Sequence, residues 1–143
     1  MAFKSSWFAT QSIVFQADRA IFIVQVKPSR PCYTDQEIAQ WVRQAYPELE
    51  YHQCLNEWEE PLWNALSHTS MPHVLEHILI TEQVRSTDED DSTQFLGTTR
   101  WLNEAEGIAR IDVHYTSDIM VLEAYKQALN FLETYKSHGM MRT

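Results

Sequence analysis

The stretch MPHVLEHILI, residues 71–80, sets two histidines and a glutamate among apolar residues at helical spacing. Each residue of an α-helix advances by about 100°, so His73, Glu76 and His77 share one narrow stripe. The apolar residues between them lie on the opposite side of the helix: Val74, Leu75, Ile78 and Leu79. The stretch therefore predicts a helix with one face in the core and one polar stripe.

The polar stripe has the composition of a zinc site. Two imidazoles four residues apart predict His73 and His77 as ligands of Zn²⁺, and the carboxylate between them predicts Glu76 as the catalytic general base. The order H-x-x-E-H inverts the familiar H-E-x-x-H and marks a class of zinc peptidases. The same ligands accept other divalent ions. A competing interpretation is an amphipathic helix whose solvated face carries these residues without a metal.

Length and composition predict one globular domain, residues 1–143, with a core over about residues 12–137. The net charge of −9, from 20 acidic and 11 basic residues, argues against nucleic-acid binding and favours a cationic partner or solubility alone. The two cysteines, Cys32 and Cys54, form neither a disulfide framework nor a thiolate zinc site. Because no apolar run is long enough for a signal or membrane helix, we expect a cytoplasmic protein with no membrane partner.

The first half of the chain predicts a hairpin followed by helices. Strands are expected over Ser12–Gln16 and Ala20–Lys27, where β-branched and aromatic residues concentrate. A capping box that begins at Thr34 predicts a helix over about residues 35–46, which Pro47 ends. A short helix over Leu62–Ser67 precedes the central helix, which has Pro72 in its first turn and fades by residue 85.

The second half predicts two more strands and a final helix. The strands are expected over Thr93–Trp101 and Ile108–Tyr115, and the second alternates polar with apolar residues, which indicates one buried face. The final helix begins near Asp118 as its N-cap. The order β-β-α-α-α-β-β-α predicts an α+β fold: a two-layer sandwich with a four-stranded, mostly antiparallel sheet and helices on one face.

Four short motifs occur in one order between Ser12 and Leu132: LEYHQC, HVLEH, LGTTRW and IDVHY. In that order they resemble the N-terminal domain of cyanophycin synthetase. The resemblance implies a domain that, in some members, binds the arginine-bearing polymer and cuts it into primers at an H-x-x-E-H helix similar to the zinc site of pitrilysin-type peptidases. The modules that polymerise aspartate and arginine in that family do not fit in 143 residues.

Two departures from the family pattern concern the substrate rather than the fold. Thr81 stands where the family usually has a glutamate, four residues after the second histidine. The acidic run at residues 88–91 replaces a short link and is expected to be an exposed loop.

The remaining site residues are assigned by analogy with inverted-motif peptidases. A carboxylate from another element is expected as the third ligand, with Glu123 as the first candidate and Asp118 and His114 in reserve. Glu123 falls on the polar side of its helix, so an ordinary solvated side chain is the alternative. Arg100 is expected to steer a substrate carboxylate or to stabilise the oxyanion, although pairing with a surface acid is an equal alternative. We interpret His52 as a structural hydrogen-bonding partner and Cys54 as buried packing.

Together these features predict a zinc-dependent hydrolase of peptide or isopeptide bonds in a cationic polymer such as cyanophycin. The alternative is a non-catalytic module that binds a polymer or a partner protein, and a weaker third option is a regulatory subunit of a separate ligase. The sequence sets no oligomeric state and leaves a homodimer open.

Overall fold

The computed structural model describes residues 3–52, 60–87 and 95–136. Within these ranges the chain forms four strands: β1 (Phe8–Phe15), β2 (Arg19–Val26), β3 (Gly97–Asn103) and β4 (Ile108–His114). The same ranges contain four α-helices: α1 (Gln36–Ala45), α2 (Leu62–Ala65), α3 (Met71–Ser86) and α4 (Asp118–Glu133). Short 3-10 turns cover Pro47–Tyr51 and Leu66–His68. The predicted order of elements is confirmed, and no described helix is both long and apolar enough to cross a bilayer.

The strands form one antiparallel sheet in the order β1-β2-β4-β3. Alternation along β4 buries Ala109, Ile111 and Val113 and leaves the residues between them partly exposed, as the sequence predicts. In register with them, Phe22 of β2 lies opposite Ile111 and is fully buried. The sheet therefore has one apolar face, which confirms the α+β fold.

Helices α3 and α4 pack together on that apolar face. The ring of Tyr125 on α4 lies 4.5 Å from the ring of Phe22, and α3 contacts β2, β3 and β4. Helix α1 packs on α4 through Trp41, whose ring stacks on Phe131 at 4.1 Å. The core formed in this way includes Trp7, so it extends upstream of the predicted boundary at residue 12.

Two helix caps differ from the sequence prediction by one residue. Asp35, not Thr34, caps α1: its Oδ1 accepts a hydrogen bond from the Ile38 amide at 2.8 Å. The Thr34 hydroxyl instead accepts one from the Thr69 amide at 2.9 Å, which ties the start of α1 to the turn before α3. Ser117, not Asp118, caps α4.

Strand boundaries also differ from the prediction. The first strand begins at Phe8, four residues before Ser12, because the Ser5 hydroxyl accepts from the amides of Trp7 and Phe8 and turns the chain into the sheet. The third strand covers Gly97–Asn103 instead of beginning at Thr93, which lies outside the described residues. The acidic run at residues 88–91 also lies outside them.

The packing of α3 predicts the cost of truncating it. Leu75 is fully buried, so Leu75→Ala should lower the free energy of unfolding by about 2–5 kcal/mol. Ile119→Ala is the matched control, because Ile119 is 72% exposed on α4 and should change stability little. Chemical denaturation of both variants measures the difference, and equal midpoints would contradict the placement of α3 in the core.

Candidate metal centre

Helix α3 is covered on almost every side. The Ser70 hydroxyl caps it by accepting from the His73 amide at 3.2 Å, and Pro72 occupies the first turn. The sheet lies beneath it, α4 beside it, and the 3-10 turn Pro47–Tyr51 also contacts it. As a result Glu76 and His77 are only 2% and 4% exposed. The alternative interpretation of a solvated polar stripe is therefore wrong.

The two histidines point one ring nitrogen at each other. His73 Nε2 and His77 Nε2 lie 3.1 Å apart. Two nitrogens that bind one tetrahedral zinc ion at 2.0–2.1 Å would be separated by about 3.3 Å. The spacing of the Nε2 atoms is therefore close to that of two ligands of one ion.

The other nitrogen of each ring already has a partner. His73 Nδ1 lies 2.8 Å from the Thr69 hydroxyl, and His77 Nδ1 lies 3.0 Å from Nδ1 of His52. Metal-binding histidines usually engage a second group through the nitrogen that does not face the ion, because that contact fixes the orientation of the ring. Both rings satisfy this condition, with Nε2 as the inward atom.

The Glu76 carboxylate is held between α3 and β3. Its Oε1 accepts a hydrogen bond from the Thr99 hydroxyl at 2.7 Å, and its Oε2 lies 3.6 Å from His77 Nε2. A Cβ at Gly97 would come within 2.8 Å of Oε2, so the absence of a side chain there leaves room for the carboxylate. Among the described residues, His73, Glu76 and His77 form the group that could hold an ion, with ligand atoms all within 4.8 Å.

Burial sets the protonation of this group. Burial raises the pKa of Glu76 to about 7, and the Thr99 hydrogen bond opposes the rise. Burial lowers the pKa of His73 and His52. It lowers that of His77 well below the usual range, with help from the two neighbouring imidazoles. The histidines are thus neutral near pH 7, which is the form that binds metals.

The predicted third ligand lies elsewhere. Glu123 is on the exposed side of α4 and lines a surface hollow with Ile119 and Lys126. The first turn of α4 likewise exposes Asp118, and His114 ends β4 on its partly exposed face. The structure does not bring these three side chains into the His73, Glu76 and His77 group. The face of α4 that meets the core carries apolar residues, and His114 shares the partly exposed face of β4 with Asp112.

Arg100 also lies away from the His73, Glu76 and His77 group. Successive side chains of a strand point to opposite sides of the sheet, and the contact between Thr99 and Glu76 shows that Thr99 points toward α3. Arg100 therefore lies on the other face, exposed and opposite Arg110 in the register. It is not placed to act on a substrate held at Glu76.

Thr99 and Gly97 were not identified from the sequence as residues of the site. Gly97 and Thr99 lie two residues apart on β3, so they share one face of the strand and Arg100 lies on the other. Placing LGTTRW on a strand could therefore have identified them. The contact of His52 with His77 confirms the hydrogen-bonding role predicted for His52. Cys54 lies outside the described residues.

The raised pKa of Glu76 predicts how the stability of the metal-free protein depends on pH. Its ordinary value is 4.5, and its value in the folded protein is about 7. The folded state holds the carboxyl proton of Glu76 more tightly than the unfolded chain does. The free energy of unfolding therefore falls as pH rises from 4.5 to about 7. Glu76→Gln removes the effect, so the variant should gain roughly 3 kcal/mol on the wild type between about pH 4 and about pH 9.

Denaturant titrations in the presence of a chelator measure this difference. Glu123→Gln is the control for replacing a glutamate by glutamine, because Glu123 is exposed. Parallel profiles for the wild type and Glu76→Gln would show that the carboxyl is not buried as described.

No family model, no curated protein and no solved structure matches the chain.

Proposed function

We propose that this protein is a metal-dependent hydrolase of peptide or isopeptide bonds, with His73 and His77 as metal ligands and Glu76 as the general base. The observation that carries the proposal is the convergence of two imidazole Nε2 atoms and one carboxylate within 4.8 Å in a buried setting. Two neutral nitrogens with one carboxylate nearby suit Zn²⁺ and also fit other divalent transition metals.

The protonation of the site supports this proposal. A divalent ion bound there supplies Lewis-acid chemistry, because it polarises a carbonyl group and makes water more acidic. A general base works best when its pKa lies near the pH at which the enzyme operates, and burial brings the pKa of Glu76 to about 7. Thr99 keeps the carboxylate in a fixed position through its hydrogen bond to Oε1.

Glu76 has two proton transfers to perform. Its carboxylate takes a proton from the attacking water as the oxygen of that water bonds to the scissile carbonyl carbon. It then gives the proton to the departing amine nitrogen as the carbon–nitrogen bond breaks. The products are a carboxylic acid and an amine, so the base is regenerated and the reaction needs no other reactant than water.

The proposed substrate is a cationic or arginine-bearing polymer such as cyanophycin. The motifs LEYHQC, HVLEH, LGTTRW and IDVHY support it through their similarity to the N-terminal domain of cyanophycin synthetase. The net charge of −9 supports it independently, since an acidic protein attracts cationic chains.

The second candidate is a non-catalytic binding module in which the ion is structural. The depth of the group favours it, since Glu76 and His77 are almost completely buried. Among the described residues, Glu76 is also the carboxylate grouped with the two histidines, and as a third ligand it would not be free to act as the base. Whether Glu76 binds the metal or acts as the base therefore separates the two functions.

Metal content and polymer cleavage test the proposal on protein purified without chelator. We expect about one zinc per chain in the wild type, loss of zinc in His73→Ala, and retention of zinc in Glu76→Gln with cleavage of cyanophycin reduced about 10²- to 10⁴-fold. His68→Ala is the matched control, because His68 is exposed and pairs with Glu60.

The outcomes separate the candidates. Loss of the metal in Glu76→Gln would identify Glu76 as a ligand and favour the binding module. A wild type that binds zinc and polymer without cleaving the polymer would favour it too. A wild type without metal and without cleavage overturns the hydrolase.

A further inference from the structure

His52 reaches the centre from outside α3. It follows the 3-10 turn Pro47–Tyr51, and its amide donates to the Leu49 carbonyl at 3.2 Å, which fixes its backbone. Its partly buried ring lies against α3, with Nδ1 3.0 Å from His77 Nδ1 and Nε2 3.4 Å from the Thr81 hydroxyl. Both ring nitrogens of His52 thus face polar atoms of the same helix.

The Thr81 hydroxyl determines which of these nitrogens carries the proton. Thr81 donates its own proton to the His77 carbonyl at 2.8 Å, one turn earlier on the helix. Only its oxygen lone pairs then remain for His52, so His52 carries its proton on Nε2 and has a lone pair on Nδ1.

The protonation of His52 sets that of His77. A lone pair on His52 Nδ1 requires the facing atom, His77 Nδ1, to be the donor in the 3.0 Å contact. A neutral imidazole carries one proton, so His77 Nε2 is left with a lone pair directed at His73. That lone pair is the one that a metal ion needs.

We propose that His52 is a positioning residue that orients His77 for metal binding and keeps its Nε2 lone pair available. The inference rests on the proposed function, because it concerns the same metal centre. His52 is not itself placed as a ligand, since it meets His77 on the nitrogen that faces away from His73. Partners of this kind typically contribute about 10- to 100-fold to metal affinity.

Two substitutions at His52 distinguish orientation from packing. His52→Leu keeps an apolar side chain of similar bulk but removes the acceptor, so it should weaken Zn²⁺ affinity by about 10- to 100-fold. His52→Asn places a carbonyl oxygen at the position of Nδ1 and should restore affinity to within a few-fold of the wild type. His68→Leu is the control for histidine replacement, because His68 is exposed, pairs with Glu60 and does not belong to the His73, Glu76 and His77 group.

The measurements are Zn²⁺ affinity by competition with a chelator and the visible spectrum of the Co²⁺-substituted protein. We expect His52→Leu to change the Co²⁺ spectrum, and His52→Asn and His68→Leu to retain that of the wild type. The free energy of unfolding of each metal-free variant is measured in parallel. Affinity that falls in step with metal-free stability in both His52 variants would show a packing role and overturn the inference.

Two further results keep this inference separate from the proposed function. A wild type that binds the ion, together with His52→Leu that binds it equally well, overturns the positioning role alone. A wild type that binds neither Zn²⁺ nor Co²⁺ overturns the proposed function and the positioning role with it.

Discussion

The hydrogen bond from Thr99 to Glu76 is the contact on which the arrangement of the centre depends. It joins α3 to β3 at a point where the carboxylate is almost completely buried. A buried carboxylate without a donor is strongly unfavourable, so this bond and the space at Gly97 together make the position tolerable. The edge strand and the helix are thereby held at a distance that suits the carboxylate.

The same reasoning extends to the histidines. Each ring nitrogen of His77 faces another imidazole, and His73 bridges to the Thr69 hydroxyl on the turn before the helix. Polar networks buried in this way rarely stabilise a fold more than apolar packing of the same volume would. Perturbed pKa values gathered in one buried group are typical of functional sites. The centre is therefore better explained by its chemistry than by a contribution to stability.

Much of the fold could be predicted from local patterns. The period of 3.6 residues located α3, and the alternation of β4 identified the buried face that Ile111 and Val113 provide. The two cap errors, at Thr34 and Asp118, arose because neighbouring polar residues can each cap a helix. At the first of these, the choice depends on a partner distant in sequence, since Thr34 is engaged by the Thr69 amide.

The site was less predictable than the fold, because helical angles describe one helix at a time. They place His73, Glu76 and His77 on one stripe correctly, yet they do not reveal that the chain near residue 50 and strand β3 cover that stripe. For the same reason the angle of Glu123 on α4 allowed either a ligand or a solvated side chain, and the packing of α4 shows that this side meets solvent. A ligand set assembled from several elements requires knowledge of how the elements pack.

The alternation of side chains along β3 also limits which of its residues can take part in the proposed reaction. A strand can bring only alternate residues to one face, so β3 cannot present both Thr99 and Arg100 to Glu76. The strand uses its inward position for a hydroxyl that holds the base, and the guanidinium is left on the opposite face of the sheet. Arg100 is therefore not placed beside Glu76 for either role predicted for it, steering a substrate carboxylate or stabilising an oxyanion. Under the proposed function, an ion held by His73 and His77 would supply the electrostatic stabilisation that Arg100 is not placed to give.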